Sequence, residues 1–177
     1  MKQIRNLLIV LTILLVCTAC PYESPVPISK QGDTFLEELV GKWQREEENQ
    51  NYYLVNALDK KSYKIVENAY NEETESFDVT LYKGYITKIK DSYFFNVTQY
   101  KPNEETASAD EIMISAAPSY YLYKIEIVNK GSFKLKPLSN YIKEEFSKSK
   151  DLESFVEKNM HLSFFYGEEE VFVKSEE

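Results

Sequence analysis

The chain has 177 residues, 43% apolar and 28% charged, which suits one globular domain with appendages. Fourteen Tyr, ten Phe and a Trp exclude a disordered chain, and a formal net charge of −8 argues against a nucleic-acid footprint. One His and two Cys exclude a zinc site with the usual His and Cys ligands. In chain order, Lys2 and Arg5 precede an apolar run, Leu7 to Val16, interrupted only by Thr12. That run is too short for a bilayer core of roughly 30 Å, which needs about 20 helical residues. Residues 1–19 therefore read as a secretory signal peptide.

The run ends in Val16-Cys17-Thr18-Ala19-Cys20. Small residues before a Cys resemble the lipobox of bacterial lipoproteins. The resemblance implies that the Cys20 thiol carries diacylglycerol and its new amine an acyl chain such as palmitate. Cys17 leaves with the signal, so the mature chain has no thiol and its fold stands on its core alone. Loss of Lys2 and Arg5 takes the formal charge from −8 to −10. Such a chain is not drawn electrostatically to anionic lipid, and the acyl chains must anchor it. No cofactor beyond this covalent lipid is expected.

Residues 20–33 contain Pro21, Pro25 and Pro27 and read as an extended tether. At about 3.1 Å per residue it would hold the domain roughly 40 Å from the lipid. The remaining 34–177 read as one domain. The opening C-P-x-E-S-x-x-P-I-S, then L-V-G-K-W and a later F-V-E-K-N…V-F-V-K, resembles a group of small Bacteroidota envelope lipoproteins. That resemblance implies a lipocalin-like body with no established activity. It also implies lipid anchoring in the cell envelope, chiefly at the outer membrane.

Thr34-Phe35-Leu36-Glu37 has the form of a capping box and predicts a helix of one or two turns. Phe35, Leu36 and Leu39 or Val40 face inward, and Gly41 stops the helix. Gly41-Lys42-Trp43 then starts a strand. A short helix running into G-x-W resembles the opening of lipocalins and their calycin relatives. The resemblance implies that Trp43 plugs the closed end of a barrel and that a basic side chain of the last strand, here Lys174, covers it.

Period-two alternation follows. Tyr53, Val55 and Ala57 share one face; so do Phe77, Val79 and Leu81, which alternate with Asp78, Thr80 and Tyr82. Then come Tyr93, Phe95 and Val97, next Tyr121, Tyr123, Ile125 and Ile127, and last Phe133 and Leu135. Turns are predicted at 59–61, 71–75, 83–84, 90–91 and 129–131, and a mobile loop at 101–111. Ser139 or Asn140 begins an amphipathic helix through Ile142, Phe146, Leu152, Val156 and Met160, broken near 147–149. Glu170 to Lys174 is the final strand. The fold expected is all-β, mainly antiparallel. It is a lipocalin-like barrel of about eight to ten strands with a short N-terminal helix and a C-terminal helix before the last strand; a β-sandwich is second.

Little in this chain points to catalysis, and no catalytic or metal-binding residues are assigned. His161 alone could serve a nucleophilic triad, and it sits at a predicted helix end, where a capping role suits it better. Asn96-Val97-Thr98 matches a glycosylation acceptor but lies inside a predicted strand. If the first and last strands pair, Trp43 and Lys174 share one end of the barrel. Glu46 to Glu48 and Glu168 to Glu170 then crowd the other, where they are solvated or bridged by a cation. The cavity face expected from alternation is Tyr53, Val55, Phe95, Val97, Tyr121, Tyr123 and Ile125. The function expected is non-enzymatic binding of a small apolar ligand by a membrane-anchored lipoprotein. The alternatives are an interaction or structural subunit of an envelope complex using a Tyr-rich surface and, least favoured, a carboxylate hydrolase.

Overall fold

A computed structural model describes residues 21–48, 50–102, 112–114 and 118–175. Residues 1–19, expected as a signal peptide, and Cys20 lie outside the described residues, as does most of the loop expected at 101–111. The described residues form ten strands: β1 (Glu23–Ser24), β2 (Gly41–Arg45), β3 (Tyr52–Ala57), β4 (Tyr63–Asn71), β5 (Ser76–Ile89), β6 (Ser92–Pro102), β7 (Ile112–Ile114), β8 (Tyr120–Asn129), β9 (Ser132–Pro137) and β10 (Glu170–Lys174). One α-helix, α1 (Ser149–Asn159), and two 3-10 turns, Glu37–Leu39 and Ser163–Phe165, complete them. Among the described residues no helix is long and apolar enough to cross a membrane.

All pairings are antiparallel, and eight strands close on themselves in the order β2-β3-β4-β5-β6-β8-β9-β10. The β6–β8 and β10–β2 ladders complete the circle. This is the lipocalin-like barrel expected; β1 and β7 are extra strands on β8 and β6. Register decides which residues face inward, because directly paired residues share a face. One inward series runs Lys174↔Trp43↔Tyr53↔Glu67 and the next Phe172↔Arg45.

Gly41 explains the start of β2. Its φ is 145°, and a Cβ there would lie 2.6 Å from Lys174 Cε. Only glycine lets the Lys174 side chain cross to Trp43, where Nζ sits 5.4 Å from the ring centroid. Trp43 is 1% exposed and donates from Nε1 to the Leu39 carbonyl at 2.8 Å. Phe35 stacks on Tyr63, whose hydroxyl meets the backbone of Leu36, so the segment before β2 seals this end.

Two cores result. The inner one fills the barrel around Trp43, Tyr63, Phe95, Ile125 and Phe133. The outer one lies between the barrel wall and α1, around Phe94, Leu122, Leu138, Leu152 and Val156. Tyr22 and Ile28 also belong to it, which corrects the expectation of a free tether. Residues 22–29 form a strap along the wall. Tyr22 N–H donates to the Leu138 carbonyl, Ile28 N–H to Asn96 Oδ1 at 2.8 Å, and Ser29 Oγ lies 2.6 Å from Thr87 Oγ1. Prolines keep the strap extended, while the apolar side chains between them give it a surface to dock on.

Other expectations are corrected. No capping box forms: Leu36 is the N-cap of a single 3-10 turn, and Thr34 Oγ1 donates to Asp33 instead. No turn interrupts 83–84. Gly84 lies inside β5, where a Cβ would press on the Phe95 ring at 2.5 and 2.7 Å. Phe77 and Val79 are not buried but 43% and 59% exposed, because the start of β5 presents them on the outer wall. Residues 140–148 are not helical. Ser139 forms a local turn, accepting from Tyr141 N–H through Oγ and from Ile142 N–H through its carbonyl, and the α-helix begins only at Ser149.

Candidate functional site

Above the Trp43 floor the inner core is incompletely filled. A cavity of about 230 Å³ opens there, and much of its wall is apolar: Val55, Ile65, Phe95, Val97, Phe133 and Leu135. Phe133 packs edge-on to Trp43 and stacks on Phe172 at 4.9 Å, which fixes the floor. Tyr53, Tyr82, Tyr121 and Tyr123 also line it, with Pro21. Of the seven residues expected on the cavity face, six line it together. Ile125 is buried in the same core but is not part of the lining.

Three charged residues share the wall: Arg45, Glu67 and Glu170. Each continues an inward period of two. Arg45 follows Trp43, Glu67 follows Ile65, and Glu170 precedes Phe172. Alternation of apolar residues passes over them, although their phase placed them inside. Glu67 Oε1 accepts from the Tyr53 hydroxyl at 3.0 Å and Oε2 from the Tyr82 hydroxyl at 2.8 Å. Tyr82 was expected on the polar face; the phase of β5 is the reverse of that expected.

Arg45 Nη1 donates to Glu48 Oε1 at 2.9 Å, and Nε lies 3.1 Å from Glu170 Oε2. The Nε–H is within ion-pair reach but not aligned for a hydrogen bond, and it has no other partner. The guanidinium carbon is 5.9 Å from the ring centroids of both Tyr53 and Phe172. Arg45 is thus committed to two carboxylates and two rings. Burial pushes the Glu170 carboxyl above its usual range; Glu48 and Glu168 add to this and Arg45 opposes it. Burial, reinforced by neighbouring carboxylates, also raises the Tyr53, Tyr82 and Tyr123 hydroxyls well above their ordinary value. They stay protonated across the physiological range, and Tyr53 and Tyr82 keep donating to Glu67.

The two glutamate runs do meet at the rim beside this cavity, as antiparallel pairing of β2 and β10 requires. Arg45 bridges them as above, and within the second run Lys134 and Lys136 Nζ each lie 2.7 Å from Glu169. Among the described residues no group of three or more His, Cys, Asp or Glu is placed to hold a metal ion. His161 is exposed just beyond α1, and Asn96 is fully buried in the outer core.

No protein-family model matches the chain, and no curated protein or solved structure matches it significantly.

Proposed function

We propose that the protein is a lipid-anchored envelope lipoprotein that binds a small, largely apolar ligand in its barrel. The observation that carries this reading is the cavity above Trp43, apolar over much of its wall and lined as well by tyrosine hydroxyls and charges. A few convergent polar groups on an apolar pocket are the usual form of a small-molecule site. The volume, about 230 Å³, lies below the roughly 300–1,000 Å³ of pockets for drug-sized molecules, so the ligand is small. The anchor rests on the lipobox-like residues ending at Cys20. Pro21, the next residue, lines the cavity, which supports a binding site held close to the lipid surface.

Trp43 is the only Trp and lies in the lining, so its fluorescence reports binding directly. Small aromatic probes should change its emission saturably, and Tyr123→Ala should weaken that response without unfolding the barrel. A flat titration with every probe would refute the binding role. Radiolabelled palmitate should enter the wild type and not Cys20→Ser; equal labelling would refute the anchor.

One observation favours a second reading. Phe77 and Val79 are exposed on the outer wall, and Tyr52 and Tyr70 each meet the Phe77 ring edge-on at 5.4 Å. Such an aromatic face suits an envelope protein partner. Phe77→Ser should then abolish co-purification of that partner while leaving Trp43 titrations unchanged.

A further inference from the structure

The charges of the cavity do not cancel. Arg45 faces Glu170 and, outside the lining, Glu48, so its single positive charge is shared by two carboxylates. Glu67 makes no ion pair with any basic side chain among the described residues; its partners are two tyrosine hydroxyls. A carboxylate offers about four lone-pair sites, and these hydroxyls occupy one on each oxygen. Glu67 therefore retains acceptor capacity beside an apolar cavity. At the neighbouring rim the six glutamates of the two runs outnumber Arg45, Lys134 and Lys136, and the whole chain carries a formal −8. A field of that sign concentrates cations at the opening and repels anions.

We infer that the cavity is selective for a small primary amine with an aromatic or short aliphatic body, its ammonium held by Glu67 and its body resting on Phe95 and Phe133. The inference rests on the ligand-binding reading above and adds the sign of the ligand's charge. An ammonium brings three donors and no acceptor, which matches the open lone pairs of Glu67. Carboxylate ligands meet the opposite balance, because the single positive charge of Arg45 already faces two carboxylates and each remaining charge in the lining is negative.

The test uses the full chain in neutral lipid nanodiscs and three probes with one shared body: tyramine, 4-ethylphenol and 3-(4-hydroxyphenyl)propionate. Trp43 emission is followed with each. A charge-assisted hydrogen bond contributes roughly 1.5–3 kcal/mol, so tyramine should bind about tenfold or more tighter than 4-ethylphenol, and the propionate weakest. Glu67→Gln should remove most of the tyramine advantage, read as the ratio of tyramine to 4-ethylphenol affinity measured on the same variant. Equal or tighter binding of the propionate would overturn the amine selectivity and leave the binding role standing. Saturation by none of the three would overturn both. The wild-type series decides the charge preference without any variant, so a poorly folding Glu67→Gln would not stall the test. If that variant folds and keeps the full advantage, Glu67 is not the ammonium partner and the assignment fails.

Discussion

Strand β6 separates two apolar regions built on opposite principles. Its outward residues Phe94 and Asn96 are fully buried under the strap and α1, with every polar atom of the Asn96 amide engaged. Its inward residues Phe95 and Val97 face a space that side chains leave open. The outer region is filled by segments from both ends of the chain, and its buried polar groups pair with one another except the Thr98 hydroxyl, which has no partner among the described residues. The inner region has more aromatic rings, yet it holds charged groups with unused hydrogen-bonding capacity. A barrel can therefore keep a hole inside because a second, complete core braces its wall from outside.

This contrast can be broken or sharpened by four measurements, beginning with alkali. Burial raises the Tyr63 and Tyr166 hydroxyls to about 12, and those of Tyr53, Tyr82 and Tyr123 in the barrel also rise. An unfolded tyrosine loses its proton near pH 10, before the folded one does. The folded state therefore binds the proton more tightly. Its advantage is complete below pH 10 and is lost as pH rises toward 12. Circular dichroism should show cooperative unfolding within that window, with buried tyrosines of both regions contributing. Tyr63→Phe should move the midpoint upward; an unchanged midpoint would place the sensitivity in the outer core.

Trp43→Ala should cost about 3–5 kcal/mol in chemical denaturation, and a small aromatic ligand should restore part of it. A shift of under 1 kcal/mol would show that the floor is not structural. Leu152→Ala, in the filled outer core, should cost about 2–5 kcal/mol with no rescue by the same ligand. Rescue at both sites would erase the distinction between the two regions. The smallest effect belongs to Asn96→Ala, which strands the Ile28 N–H at a cost of about 1–3 kcal/mol. Hydrogen exchange should accelerate at residues 22–29, and barrel amides should hold their protection.

Much of the inner region was legible because register converts alternation into a face. Tyr53, Val55, Phe95, Val97, Tyr121 and Tyr123 converge because each lies on the inward phase of its strand. Depth along the barrel is not encoded in a period of two, so Ile125 shares the face without reaching the cavity. Arg45, Glu67 and Glu170 are hidden from a search for apolar residues, although their phase marks them. The phase of β5 misleads for a physical reason. Its first half carries Phe77 and Val79 on an outer wall that nothing in the described chain covers, so the apolar residues there mark the wrong side. The outer region was less legible. Nothing local indicates that a proline-containing stretch will dock through Tyr22 and Ile28, or that the turn at Ser139 will delay α1 by ten residues' length.

The strap also determines how the molecule answers a pull on its N terminus. Such a load reaches Tyr22 and the two-residue β1 before any barrel strand, and β1 is joined to β8 at Glu23↔Tyr121 and Ser24↔Tyr120 alone. Two short rungs peel one after the other, whereas the long β5–β6 ladder would have to yield over its whole run. Tension would next draw Ile28 away from Asn96 and stop at Asp33, whose carboxylate accepts from Lys88 N–H on the barrel. Residues 21–33 released in this way span roughly 40 Å when fully extended. The strap thus acts as a mechanical fuse that lengthens under force while the barrel stays closed.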